Sequence, residues 1–294
     1  MKIRKILVPV DFSPFSDHAV KMAITLAAKF CADVTLLHSV LLFHEDIDED
    51  EQLKSYEKLI EKKEAAHRKK MQAHCKSAAR KGVDNVHSIL KRGYSAADTI
   101  LEHLNEKRYD LIVMGTHGRT GISKWVLGSV AEKVVRHSKV PVMTLHKNYR
   151  LRLPSSILVP VDFSDPAKKA IKSARALAKV LEAKLTILFS VEQEDHPAFY
   201  ASSLEPILKV NPRLKKDILT NLKKFARVPE AEARYVIVEG KPHKEIQEYA
   251  EKKRISLIVM ATRGMSELEH LLTGSTTERV VALAPCPVLS VRRD

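Results

Sequence analysis

Cysteine is scarce in this chain. Cys31, Cys75 and Cys286 make an odd three with no C-x-x-C pair among them. Such a set builds neither a disulfide framework nor a zinc site, and it fits a reducing compartment, so the cytoplasm is the expected location. No apolar run approaches the ~20 residues that cross a membrane, and the opening MKIRKILVPVDFS turns acidic too soon for a signal peptide. Aromatic residues are few: seven tyrosines, eight phenylalanines and one tryptophan. None alternates with basic residues as a base-stacking surface requires. His44-Glu45 lacks the second histidine of H-E-x-x-H, and His103 and the other histidines show no metal-ligand spacing, which excludes a zinc protease.

What is present points to an ordinary globular chain with an anionic partner. Its 294 residues suit about two domains, and 45% hydrophobic with 29% charged residues is material for two cores. The net charge of +14 favours anions. Much of that excess lies in Lys58 to Lys81, where Lys62, Lys63, Arg68, Lys69, Lys70, Lys76 and Arg80 face only Glu61 and Glu64. With Leu59, Ala66 and Met71 scattered among them, this stretch reads as the solvated face of a long helix. Nucleic-acid binding through that helix is the weaker alternative.

The chain is written twice. Lys5-Ile6-Leu7-Val8-Pro9-Val10-Asp11-Phe12-Ser13 returns as Ser156-Ile157-Leu158-Val159-Pro160-Val161-Asp162-Phe163-Ser164. LIVMGTHGRTGISKWVLGSV, from Leu111 to Val130, returns as LIVMATRGMSELEHLLTGST, from Leu257 to Thr276. Within each copy, short apolar runs alternate with helical patterns, which means a parallel sheet covered by helices on both faces. In the first copy the expected strands are Ile6–Val10, Val34–Val40, Val86–Leu90, Leu111–Met114 and Val140–Leu145. Ser13-Pro14 reads as an N-cap with proline at the first helical position. The acidic run Glu45 to Glu51 reads as an exposed loop. In the second copy the later strands are Leu185–Val191, Ala233–Val238, Leu257–Met260 and Val288–Val291. The expected domains are residues 1–147 and 155–294, joined by a linker at 148–154.

The doubled motif carries the chemistry. A buried strand runs into glycines at 115, 118, 121 and 128, and Ser129 then opens a helical pattern. Glycine lets a backbone approach a phosphate, and a helix start supplies free N–H groups and the positive dipole end. The loop is neither a Walker A sequence nor G-x-G-x-x-G. Gly118 and Gly128 stand ten positions apart, as do Gly264 and Gly274, and a serine follows each pair, Ser129 and Ser275. Packing alone would hardly dictate that spacing twice. Ligands of open parallel sheets bind beyond the carboxyl ends of the strands, where strand order reverses. If the first and fourth strands are neighbours, Asp11 and the glycine loop face each other there. A carboxylate for ribose hydroxyls and a loop for phosphates imply a nucleotide. Trp125 reads as packing the loop onto the sheet, and His117 either touches phosphate or is solvated.

The pattern G-x2-G-x9-G-[ST], with a first strand like ILVPVDFS, resembles the universal stress protein family in its nucleotide-binding branch. The resemblance covers nearly the whole chain, as a tandem pair. It implies an α/β fold of two five-stranded open parallel sheets of order 3-2-1-4-5, binding of ATP or AMP, and pairing of the two domains through the last strands, Val140–Leu145 with Val288–Val291. In the first copy it places Pro9, Val10, Asp11, Val40, Met114, Gly115, His117, Gly118, Arg119, Gly128, Ser129 and Val130 at the ligand. In the second it places Pro160, Val161, Asp162, Val191, Met260, Ala261, Arg263, Gly264, Met265, Gly274, Ser275 and Thr276. Ala261 departs from the glycine pattern and is penalised if its position needs positive φ or a phosphate at its Cα. Site one therefore ranks above site two.

The expected role is a stress-response regulatory protein whose nucleotide occupancy is read by an unknown protein partner. Homodimerisation is a further expectation. The alternative is a slow ATPase, with Mg2+ held by Asp11 and charge supplied by Arg119, Lys124 or Arg263. It lacks an obvious general base and a Walker lysine, so the binding module is favoured.

Overall fold

A computed structural model of the chain describes residues 2–42, 50–118, 127–146, 149–192, 207–262 and 275–292. The chain forms two compact units, Lys2–Arg152 and Leu153–Asp294 apart from Met1.

The first unit alternates strand and helix: β1 (Lys5–Pro9), α1 (Pro14–Phe30), β2 (Asp33–Leu41), α2 (Asp50–Ala79), β3 (Val86–Gly93), α3 (Ala96–Glu106), β4 (Leu111–Gly115), α4 (Ser129–His137) and β5 (Val142–Leu145). Its strands lie in the order β3-β2-β1-β4-β5, all parallel. Strand β4 is buried throughout except for Gly115, so the continuous apolar run is a central strand covered on both sides. The order reverses between β1 and β4, which pair through Ile6↔Leu111 and Leu7↔Ile112. A crevice at their carboxyl ends follows from that topology.

The second unit repeats the plan with β6 (Ser156–Val161), α5 (Asp165–Leu181), β7 (Lys184–Val191), α6 (Ile207–Val210), α7 (Pro212–Ala226), β8 (Ala233–Glu239), α8 (Pro242–Lys252), β9 (Leu257–Ala261), α9 (Ser275–Leu283) and β10 (Val288–Val291). Here the parallel order is β8-β7-β6-β9-β10. The same hydroxyl starts the first helix of each unit: Ser13 Oγ accepts the Ser16 N–H at 3.2 Å, and Ser164 Oγ accepts the Ala167 N–H at 3.3 Å. Both helices also end on a left-handed residue, Cys31 in α1 and Glu182 in α5.

Strand limits shift modestly from the sequence expectation. β3 runs on to Gly93, three residues past Leu90, because it pairs with β2 as far as Leu41↔Gly93. β5 begins at Val142, beyond Val140 and Pro141. The basic stretch is a helix: Ile60, Met71 and Ala78 of α2 are buried, while Lys58, Lys62, Arg68, Lys69, Lys70 and Lys76 are exposed. Of the acidic run, residues 45–49 lie outside the described residues, and Asp50 already opens α2. Among the described residues no helix is long and apolar enough to cross a membrane.

Candidate functional site

After β1 and β6 the chain turns sharply through a phenylalanine in the left-handed region, Phe12 at φ 62° and Phe163 at φ 61°. Such a conformation costs an L-residue roughly 1–2 kcal/mol, and rings hold it in place. Phe12 packs on His38 and His67 at centroid distances of 4.5 and 5.1 Å, and Phe163 on Phe189 and Phe225 at 4.8 and 5.2 Å. His38 is itself fixed, its Nδ1 lying 2.6 Å from the Val10 carbonyl oxygen.

The turn sets the preceding aspartate at the carboxyl edge of the sheet. Asp11 Oδ1 accepts the Ser13 N–H at 3.0 Å, and a methyl group placed on Gly118 would stand only 2.7 Å from Asp11 Oδ2. The carboxylate is thus both a helix-start ligand and the neighbour of the glycine loop. In the second unit Asp162 Oδ1 accepts the Ser164 N–H at 3.1 Å and the Ser164 hydroxyl at 2.6 Å.

Each glycine has a separate reason. Gly128 donates its N–H to the Thr116 carbonyl at 2.8 Å, and a methyl group there would stand 3.0 Å from that same oxygen. The start of α4 therefore lies hard against the end of β4. Gly128 is also the N-cap of α4, and having no side chain it supplies no capping oxygen of its own. By contrast Ser13, Ser95 and Ser164 cap α1, α3 and α5 with their own oxygens. An α4 start without a capping oxygen leaves donors for an external anion.

Gly115 is required by packing. A methyl group there would meet Phe15 Cβ at 2.7 Å and the Phe15 carbonyl carbon at 3.0 Å. Its φ is not positive, and Ala261 in the second unit is not a positive-φ residue either. Counting from the serine caps, Pro166 holds in α5 the place of Phe15 in α1. The conflict that Gly115 avoids is one with its own unit's first helix, so Ala261 does not by itself disqualify site two.

Two cavities result. The first, of about 260 Å³, is lined by Pro9, Val10, Asp11, Met114, Gly115, His117, Gly118, Gly128, Ser129 and Val130, together with Leu37, Leu41, Ala96 and Ile100. The second, of about 520 Å³, is lined by Pro160, Val161, Asp162, Met260, Ala261, Ser275 and Thr276, together with Leu188, Phe189, Glu192, Pro242 and Ile246. Ligand pockets usually span ~300–1,000 Å³, and the second space is the roomier of the two. Val40 and Val191 line neither cavity; Val40 is buried, and the β2 residues at the cavity are Leu37 and Leu41. Arg119, Lys124 and Trp125, and Arg263, Gly264, Met265 and Gly274, lie outside the described residues.

Electrostatics differ between the two. His117 Nδ1 lies 3.0 Å from Thr116 Oγ1, which also meets His146 Nδ1 at 3.0 Å. Lys133 of α4 pairs with Asp98 of α3 at 2.7 Å, and its hydrogen bond holds the Asp98 carboxyl below the usual range. In the second unit Arg279 of α9 approaches His243 of α8 at 3.5 Å. Burial, with the nearby charges of Arg279, Lys244 and Lys241, depresses the His243 pKa, and Glu192 opposes them. Among the described residues no group of three His, Cys, Asp or Glu side chains could hold a metal ion.

Comparison with known proteins identifies the family and agrees with the fold. The model of the Universal stress protein family matches residues 2–146 and 155–292. A universal stress protein of Methanocaldococcus jannaschii is 36% identical over 142 residues, 48% of this chain and 84% of the relative. One of Bacillus subtilis is 34% identical over 149 residues, 47% of this chain and 99% of the relative. Over the full length of both chains, the fold is similar to the crystal structure of a universal stress protein from Archaeoglobus fulgidus, with a TM-score of 0.70 at 24% identity. With two family segments covering nearly all of it, the chain belongs to the universal stress protein family, as a tandem pair.

Proposed function

We propose that each unit binds a phosphorylated nucleoside, with ATP or AMP as the resident ligand, and that a protein partner reads its occupancy in a stress response. The observation that carries this is the meeting of Asp11 Oδ2 with Gly118, beside the start of α4, whose N-cap is a glycine. The carboxylate accepts ribose hydroxyls, while the glycine loop and helix start take phosphate oxygens. Mg2+ would enter with ATP and neutralise phosphate charge. Asp11 is the carboxylate among the described lining residues of the first cavity that could assist it.

Mass spectrometry of the small molecules released when the purified chain is denatured tests this, followed by calorimetric titration of the emptied protein with AMP and ATP. An adenine nucleotide in the extract, and heat lost from site one in Asp11→Ala, are expected. A chain that carries no nucleotide and takes up neither AMP nor ATP would refute the proposal.

A further inference from the structure

The second cavity has a direction. It crosses the carboxyl ends of β7, β6 and β9, which lie side by side in the sheet. Ser275 and Thr276, at the start of α9, mark one end, and Asp162 lies between. On the β7 side the lining includes Leu188 of β7 with Pro242 and Ile246 of α8, apolar side chains of the kind a flat base packs against. Glu192 stands on that side. It lines the cavity directly after the last residue of β7, and β6 separates that strand from β9 and the start of α9.

The first unit holds a different residue there. Pro9 pairs with Leu37 in the first sheet as Pro160 pairs with Leu188 in the second. Four residues along, Leu41 lines the first cavity and Glu192 the second. A carboxylate offers only acceptor lone pairs, whereas a leucine offers none.

We infer that Glu192 sets base choice at the second site, which takes a purine nucleotide presenting an amino group, while the first site, with Leu41, reads shape alone. This rests on the nucleotide-binding reading above. An exocyclic amino group donates to Glu192. Hypoxanthine, which has an oxygen at that position, sets acceptor against acceptor. Sites that read a polar group reject analogues lacking it far more strongly than purely apolar pockets do.

The test uses the full chain with Gly118→Val to silence site one, titrated calorimetrically with AMP and with IMP. AMP is expected to bind about tenfold or more tighter than IMP, the equivalent of one hydrogen bond that is made against one that is opposed. Glu192→Leu should bring the ratio near one. In a chain silenced at site two by Asp162→Ala, Leu41→Glu should create the preference at site one. If AMP binds site two and the ratio is the same with and without Glu192, the inference falls and nucleotide binding stands. If neither nucleotide binds site two, both fall together.

Discussion

Gly115→Ala adds a single methyl group where the structure has no room for one. The new carbon would stand 2.7 Å from Phe15 Cβ, 3.0 Å from the Phe15 carbonyl carbon and 3.2 Å from its oxygen. Carbon atoms rest at ~3.5–4.0 Å, so α1 and β4 must part by a sizeable fraction of an ångström. Overpacking of this kind costs about 1–3 kcal/mol. Alanine's stiffer unfolded chain returns about 0.4–1 kcal/mol. The 2.7 Å contact with atoms that cannot swing aside puts the cost in the upper half of that range, so a net loss of about 1–2.6 kcal/mol is expected, or a fall in Tm of about 2–10 °C for a domain of this size. The opposing atoms are Cβ and main chain, so truncating the ring with Phe15→Ala should not rescue the variant. The reciprocal change, Ala261→Gly, should leave nucleotide affinity at site two no better, because no positive φ demands glycine there. Thermal unfolding of the single and double variants, with calorimetric titration of Ala261→Gly, checks all three. A Gly115→Ala protein as stable as the parent, or one rescued by Phe15→Ala, would refute the packing argument. So would a marked gain in affinity for Ala261→Gly.

Gly118→Val should push Asp11 Oδ2 from its place and abolish nucleotide binding at site one in a calorimetric titration, with circular dichroism unchanged. His103 is buried against Tyr109, and burial, reinforced by the Lys91 charge, holds its pKa below the ordinary 6.5. Because the unfolded chain takes up that proton more readily, stability should fall as pH drops below about 6.5 towards the folded pKa. Urea midpoints across that range should show the loss, and a His103→Gln variant should show less of it. Burial pushes the Cys286 thiol up to about 12, whereas Cys31 is exposed. A thiol reagent at pH 8 should therefore label Cys31 in the native protein and reach Cys286 only after denaturation. Arg92 spans Glu57 and Glu64 on an exposed face, so Arg92→Ala should leave the urea midpoint nearly unchanged.

The duplication, the alternation of strands and helices, and the serine-capped start of α1 were all legible in the sequence, because each depends on neighbours a few residues apart. Hydrophobic runs marked the central strands, and the spacing from Gly118 to Gly128 marked the loop between β4 and α4. Distant contacts decided the rest. Nothing local tells that Gly115 is held by Phe15, a hundred residues away in the chain. Strand period two fixes which β2 residues share a face, but only pairing with β1 turns Leu37 and Leu41 to the cavity and leaves Val40 buried in the core. The left-handed turns at Phe12 and Phe163 are likewise invisible locally, since isolated phenylalanine disfavours them. They persist because rings from other elements close over them. The sequence alone determined the repeated architecture. Cavity size, and which carboxylate faces it, were decided by tertiary packing, because both depend on side chains brought together from separate strands and helices.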